Sequence, residues 1–244
     1  KSGREVAQKA MKSIKRITLE LGGKSPSIIL KGADIDLAVK RTLDTVYNNT
    51  GQTCSAYTRL LVPEDEKEKI EELVINMTKK YPFGDPALSP TNIGPVISER
   101  QFLKVKSYIE KGIEEGARLI YGEVPKDYDK GYYIKPVVFS DVHNDMVIAR
   151  EEIFGPVLCI IPYKDKEEAI KIANDTEYGL AAAVFGPDDE AKEVANKIKA
   201  GNVNINNGKF TRKAPFGGFK QSGLGREGGV FGMEEFLEVK AIFK

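Results

Sequence analysis

Hydrophobic positions repeat along this chain with two different periods, and the two alternate. Val6, Ala7, Ala10, Met11 and Ile14 share one face of a helix over 4–14. Residues 17–20 alternate apolar and polar, as a strand does, and the pair Gly22-Gly23 breaks the pattern. A second short strand is expected at 27–30. Asp34 is placed to cap a helix running to residue 48, with Ala38, Val39, Leu43, Val46 and Tyr47 inward. Residues 49–55 are polar, contain Gly51 and read as a loop, and 57–62 reads as a strand. A helix over 64–80 buries Ile70, Leu73, Val74 and Met77. A long loop with Pro82, Pro86, Pro90 and Pro95 follows, then a helix over 98–115 and strands at 118–121 and 133–139. Residues 157–161 are apolar throughout, as in a strand buried on both faces. A helix at 166–174, a strand at 181–185, a helix at 188–199 and a strand at 202–206 come next. The tail is Gly-rich to Gly232 and is expected to close on a strand at 236–243.

Strands alternating with amphipathic helices predict an α/β fold with a mostly parallel sheet flanked by helices. No internal repeat or low-complexity segment interrupts it. Composition turns Gly-rich near Gly22 and near Asn207, which marks boundaries there. The 244 residues are enough to bury a sizeable core. With 37 basic and 36 acidic side chains the net charge is +1, so nothing draws the chain as a whole to nucleic acid or to an anionic membrane. The apolar runs are far shorter than the roughly 20 residues a membrane helix needs, and no signal-peptide pattern opens the chain. A cytoplasmic location is therefore expected. The first residue is Lys1 rather than Met, as in a processed or excised piece.

Two cysteines far apart, Cys54 and Cys159, form neither a disulfide scaffold nor a metal site, and reduced thiols are expected. A single histidine excludes a His-rich metal cluster, so no metal is expected, and only His143 could serve a Cys–His dyad. Cys159 lies in an apolar strand and reads as core. Cys54 lies in a polar loop between Thr53 and Ser55. A thiol there is either a reachable nucleophile or a small core residue. Glu20 closes a strand before two glycines that would let a ligand come close; it reads equally as a solvated strand end. Lys24 reads as a solvated loop lysine rather than a phosphate contact. Glu151 and Glu152 precede Phe154-Gly155-Pro156 and suit either acid–base work or an exposed helix end. Gly223-Leu224-Gly225-Arg226-Glu227-Gly228 matches G-x-G-x-x-G but lacks the preceding hydrophobic strand and the following helix of a dinucleotide fingerprint. It is read as a connecting loop.

Four segments in this order are Leu19-Glu20-Leu21-Gly22-Gly23-Lys24-Ser25-Pro26, Gly51-Gln52-Thr53-Cys54, Glu151-Glu152-Ile153-Phe154-Gly155-Pro156 and Pro215 to Glu227. Together with Tyr178-Gly179-Leu180-Ala181 they strongly resemble the NAD(P)-dependent aldehyde dehydrogenase superfamily over essentially the whole chain. The resemblance implies that Cys54 is the catalytic thiol and Glu20 the general base. It implies that Glu152 holds the nicotinamide ribose of NAD or NADP, that Phe154 packs near the nicotinamide and that the Leu21 carbonyl meets its carboxamide. Phe210 falls in the segment lining the substrate mouth. The chain matches the second, catalytic half of the family. The implied divisions are 1–20 as the last unit of the cofactor domain, 21–207 as the catalytic domain, and 208–244 as a segment returning to the cofactor domain and to subunit contacts.

The chemistry agrees with this set. A thiolate adding to an aldehyde makes a thiohemiacetal that can release hydride, and a carboxylate can then activate water on the thioester. That scheme needs one Cys and one Glu and no His. The partners expected are a small aldehyde and, for the complete protein, further copies in a dimer or tetramer. The family's oxyanion asparagine and main cofactor cradle belong to its first half, so the isolated chain is expected to be impaired. The alternatives are a cofactor-independent thiol esterase and a non-catalytic assembly fragment using the 236–243 strand.

Overall fold

The structure, a computed structural model, describes residues 2–126 and 130–244. In chain order the elements are α1 (Ser2–Met11), β1 (Leu19–Glu20), β2 (Pro26–Ile29), α2 (Ile35–Val46), β3 (Arg59–Pro63), α3 (Lys67–Thr78) and α4 (Glu99–Glu114). They continue with β4 (Arg118–Tyr121), β5 (Val137–Ser140), α5 (Val147–Arg150), β6 (Val157–Tyr163), α6 (Lys166–Asn174), β7 (Ala181–Phe185) and α7 (Asp188–Lys197). Last come β8 (Asn202–Ile205), β9 (Gly223–Leu224) and α8 (Gly229–Glu234). As expected, Asp34 caps α2, its carboxylate accepting from Leu37 N–H at 3.0 Å. Asp165 caps α6 in the same way.

Seven strands form one sheet in the order β4-β5-β6-β3-β2-β7-β8. Every pair in it is parallel except β4 with β5. The alternation of side chains sorts the core into two layers. Ile28, Leu61, Cys159 and Val184 share one layer with Phe102, Val105 and Ile109 of α4, Ala169 of α6 and Val194 of α7. Ile29, Leu60, Ile160 and Phe185 face α2 and α3. The expected α/β class with a parallel sheet between helices is therefore the fold observed, and Cys159 is core. Among the described residues no helix is long and apolar enough to cross a membrane.

The buried polar centre of the sheet is Arg59. Its guanidinium is wholly enclosed and donates to the Lys24, Ile172 and Ala173 carbonyls and to Asn144 Oδ1, each at 2.9 Å. Ile172 and Ala173 lie in the last turn of α6, where a helix presents unpaired carbonyls. A single cation thus ties β3 to that helix end and to the segment entering β2.

The tail corrects the expectation of a closing strand. Residues 236–244 have no regular structure, and Phe236, Val239, Ile242 and Phe243 are exposed. Alternating apolar residues make a strand only where a neighbour takes up their backbone hydrogen bonds, and these pair with no strand among the described residues. The Gly-rich stretch before it holds two elements that its composition hides. β9 pairs antiparallel with β1 in a separate two-stranded ladder, and α8 forms despite its glycines.

Replacing Arg59 by Met removes these donors and leaves the buried Lys24 and Ala173 carbonyls without them, while the Ile172 carbonyl keeps Asp175 N–H. It is expected to cost about 3 kcal/mol of stability, read as a lowered denaturant midpoint at unchanged slope.

Candidate active site

The segments carrying the site all enter the parallel sheet from its amino edge. Residues 20–25 lead into β2, 51–58 into β3 and 151–156 into β6. In the sheet Pro26 stands opposite Arg59, and Arg59 opposite Cys159. Loops as far apart in the chain as Gly23 and Glu152, 129 residues, therefore lie side by side. Open parallel sheets ordinarily use the carboxyl ends of their strands; here the opposite edge carries the cluster.

Glycines let these loops touch through their backbones. A Cβ on Gly23 would stand 2.5 Å from the Cys54 carbonyl oxygen, and one on Gly22 2.4 Å from a Glu152 carboxylate oxygen. A Cβ on Gly51, whose φ is +74°, would lie 2.2 Å from the Gly155 carbonyl carbon. The Cys54 loop is a tight turn, Asn48–Gly51, with Asn49 and Thr50 left-handed at φ 51° and 58°.

Cys54 is half-buried, and the Glu20 carboxylate lies close enough to act on its thiol. Burial and then the neighbouring Glu20 carboxylate push the thiol up to about 11. Glu20 is itself raised, first by burial and then by the nearby charges of Glu227 and Glu152, against the lowering effect of Cys54. The pair therefore rests as a protonated thiol beside a carboxylate able to take its proton. Glu20 owes its place to the β1–β9 ladder, where it stands opposite Gly223. A Cβ on Gly223 would lie 2.2 Å from the Leu19 carbonyl oxygen.

Glu152 is part-buried, and its Oε1 accepts from Gly23 N–H at 3.0 Å. Phe154 is left-handed at φ 61°, a conformation that costs a non-glycine residue about 1 kcal/mol or more. Leu21 is pinned by its N–H donating to the Ser222 carbonyl at 2.9 Å, and its side chain packs on Gly3. Phe210 is exposed, on the wall of a groove of about 740 Å³ that also borders Thr53, Ser55 and Tyr57.

Cys54 and Glu20 thus lie side by side, Glu152 reaches the Glu20 loop through Gly23, and Leu21 follows Glu20 in that loop, held by Ser222. Phe154 lies on the same loop as Glu152, and Phe210 on the groove beside the Cys54 loop. Lys24 is not the solvated residue expected. Its side chain is buried, with burial pulling the ammonium down to about 8 and Nζ finding no hydrogen-bond partner. It precedes a strand that is buried throughout, so extended geometry turns its side chain inward. His143 is exposed in the turn after β5 and is not among the groups that act on the Cys54 thiol. Sequence reasoning passed over Glu227, which acts on Glu20, and Ser222, whose Oγ accepts from Gly179 N–H at 2.9 Å. Both lie in the last motif, and only the ladder shows what they face.

The sequence model of the aldehyde dehydrogenase family matches residues 1–242. This chain belongs to that family. A relative in Staphylococcus haemolyticus whose name assigns it to the aldehyde dehydrogenases is 51% identical over 99% of this chain and 52% of its own length. Among solved structures, aldehyde dehydrogenase C of Pseudomonas syringae is 48% identical, with a TM-score of 0.95 over 98% of this chain and 50% of that one. A Mycobacterium tuberculosis aldehyde dehydrogenase is 46% identical, with a TM-score of 0.92 over 96% of this chain and 49% of that one. The chain spans about half the length of the relatives it matches.

Two outcomes test the site's geometry. Iodoacetamide alkylation at Cys54, read by mass spectrometry, should keep rising with pH towards about 11. Glu20→Gln removes the adjacent negative charge and should move that profile to lower pH; an unmoved profile would show that the two side chains do not interact. Gly51→Ala should cost about 2–4 kcal/mol through clash and strain. Gly116→Ala, also at positive φ but facing open space, should cost about 1 kcal/mol.

Proposed function

We propose that this chain supplies the thiol, the base and the nicotinamide end of the site for oxidation of an aldehyde to a carboxylic acid with NAD(P)+. The observation that carries the reading is the Cys54 thiol set against the Glu20 carboxylate, with Glu152 on packed backbones beside them. The Cys54 sulfur attacks the aldehyde carbon while its proton passes to Glu20, forming a C–S bond and a tetrahedral thiohemiacetal. The nicotinamide, when bound, accepts the hydride that leaves that carbon. Glu20 first passes the thiol's proton to solvent; water then attacks the resulting thioester on Cys54, and its proton goes to Glu20. The C–S bond then breaks, and the acid departs as the thiol regains a proton. Burial raises Glu20 above the ordinary carboxylate range, which makes it the better acceptor for a proton from the thiol or from water.

The residues fit the ribose and nicotinamide end of the cofactor. One Glu152 oxygen is held by Gly23 N–H, which leaves the other as an acceptor for a ribose hydroxyl. Gly22 keeps the approach to that carboxylate free of any side chain. The solved relatives from Pseudomonas syringae and Mycobacterium tuberculosis contain NAD+, and the first also contains octanal in a cysteine-to-alanine variant. A point variant of a Staphylococcus aureus betaine aldehyde dehydrogenase, 41% identical, was solved in complex with NAD+ and with a modified cysteine. These support NAD+ as the cofactor, an aldehyde as the substrate and a reactive cysteine.

We further read 1–20 with 208–244 as one unit, since β1 pairs with β9, and 21–207 as the catalytic domain. A second reading, thiol esterase, is favoured by the same Cys54–Glu20 pair, because acyl transfer to a thiol needs no cofactor.

In a protein joining this chain to the remaining half of the family's length, NADH should form from a small aliphatic aldehyde, and Cys54→Ala should abolish it. Glu20→Gln should slow turnover about a hundredfold, with thioester accumulating. If several aldehydes yield no NADH while an activated ester gives a Cys54-dependent burst, the esterase reading replaces the first.

A further inference from the structure

The groove bordered by Phe210 continues into a second hollow of about 730 Å³, and the two share Thr45, Ser55, Tyr57, Asn204, Lys209 and Phe210. The charged side chains on its walls are Arg41, Asp44, Lys209, Arg212 and Glu227. The first two are already engaged. Asp44 accepts from Lys40 Nζ at 2.9 Å and from the Tyr81 hydroxyl at 2.7 Å, and Arg41 lies 3.6 Å from it. Glu227 marks the reacting end, where its charge acts on Glu20. Lys209 and Arg212 are exposed, and among the described residues neither side chain has a hydrogen bond or an ion pair.

The wall that presents these two cations is held at both ends. After β8 the chain reverses through Asn206 and Asn207, left-handed at φ 45° and 62°, a region asparagine enters more readily than most residues. Gly208 N–H donates to the Ile205 carbonyl at 2.8 Å, and Asn204 Nδ2 donates to the Gly208 carbonyl at 2.7 Å. At the far end Phe216 and Glu227 exchange backbone hydrogen bonds of 2.7 Å. Between them the wall packs on the Gly-rich turn, where a Cβ on Gly229 would stand 2.4 Å from the Lys213 carbonyl oxygen. The two free cations therefore belong to the same groove whose reacting end holds carboxylates.

That order of charges orients an anion. A carboxylate on the substrate is drawn towards Lys209 and Arg212 and repelled by Glu20 and Glu227, which leaves the other end of the molecule facing Cys54. Lysine and arginine hold a carboxylate through charge-assisted hydrogen bonds, arginine through two parallel donors. We propose that the aldehyde oxidised at this site carries a carboxylate at its far end, bound by Lys209 and Arg212. The inference rests on the reading of Cys54 and Glu20 as the aldehyde-oxidising pair.

Succinic semialdehyde and butanal have the same chain length and differ by one carboxylate, so their ratio isolates the charge. In the protein joined to the rest of the family's length, kcat/KM read by NADH formation should be about tenfold or more higher for succinic semialdehyde. That ratio should fall about tenfold in the double variant Lys209→Gln, Arg212→Gln, and should shrink as salt is added. Equal values for the two aldehydes, or a preference that the double variant keeps, overturns the proposal and leaves the dehydrogenase reading standing. NADH from neither aldehyde overturns that reading instead, and a second measurement then decides the anion site. In this chain, without cofactor, iodoacetate and iodoacetamide alkylate the same Cys54 sulfur, and only the first carries a carboxylate. The ratio of their rates, followed by mass spectrometry, should fall about threefold in the double variant. An unmoved ratio shows that the two cations do not act on an anion approaching Cys54, and the proposal fails.

Discussion

Gly51 stands against Gly155, and Gly23 against the Cys54 carbonyl, with no space for a Cβ between them. Those contacts weld three loops into one surface, and they exist because β2, β3 and β6 are neighbours in parallel register. A parallel sheet places the segments entering adjacent strands along one edge. The right-handed crossovers that make the sheet parallel also carry α4 to the face that supports the third loop. The buried Arg59 fixes the same arrangement from within, since its donors reach the carbonyl of Lys24, just before β2, and the last turn of α6.

The electrostatics of the site follow from that packing. Half-burial raises both the Cys54 thiol and the Glu20 carboxyl, and each acts on the other. A thiol in open water would ionise more readily but would have no acceptor positioned for its proton. Burial first, and then the charges of Glu227 and Glu152, make Glu20 a stronger proton acceptor than an exposed carboxylate. Both of those neighbours come from segments far from Glu20 in the chain.

Strain and support are paired in the Glu152–Phe154 loop. A left-handed Phe154 is unfavourable locally, and the donors of α4 compensate by capturing the carbonyls that this turn directs towards them. Side chains that make no contact with Cys54 shape in this way a loop that packs against its own.

The sequence by itself determined the elements and the identities of the chemical groups. Periodicity located α2, α4, α6 and the apolar strands, because a buried face repeats at the period of its own secondary structure. The motif residues marked Cys54, Glu20 and Glu152 as candidates, since few side chains can be a nucleophile or a base. Tertiary structure decided everything that depends on a partner distant in the chain. Lys24 reads as a loop residue, but the sheet encloses it. The alternating tail at 236–243 reads as a strand, but a strand is completed only by its neighbour. Glu227 and Gln101 look like ordinary surface residues, and only the β1–β9 ladder and the α4 face give them something to act on. Local pattern encodes which backbone a segment prefers; which loops meet is settled by register and burial, and those are properties of the whole chain.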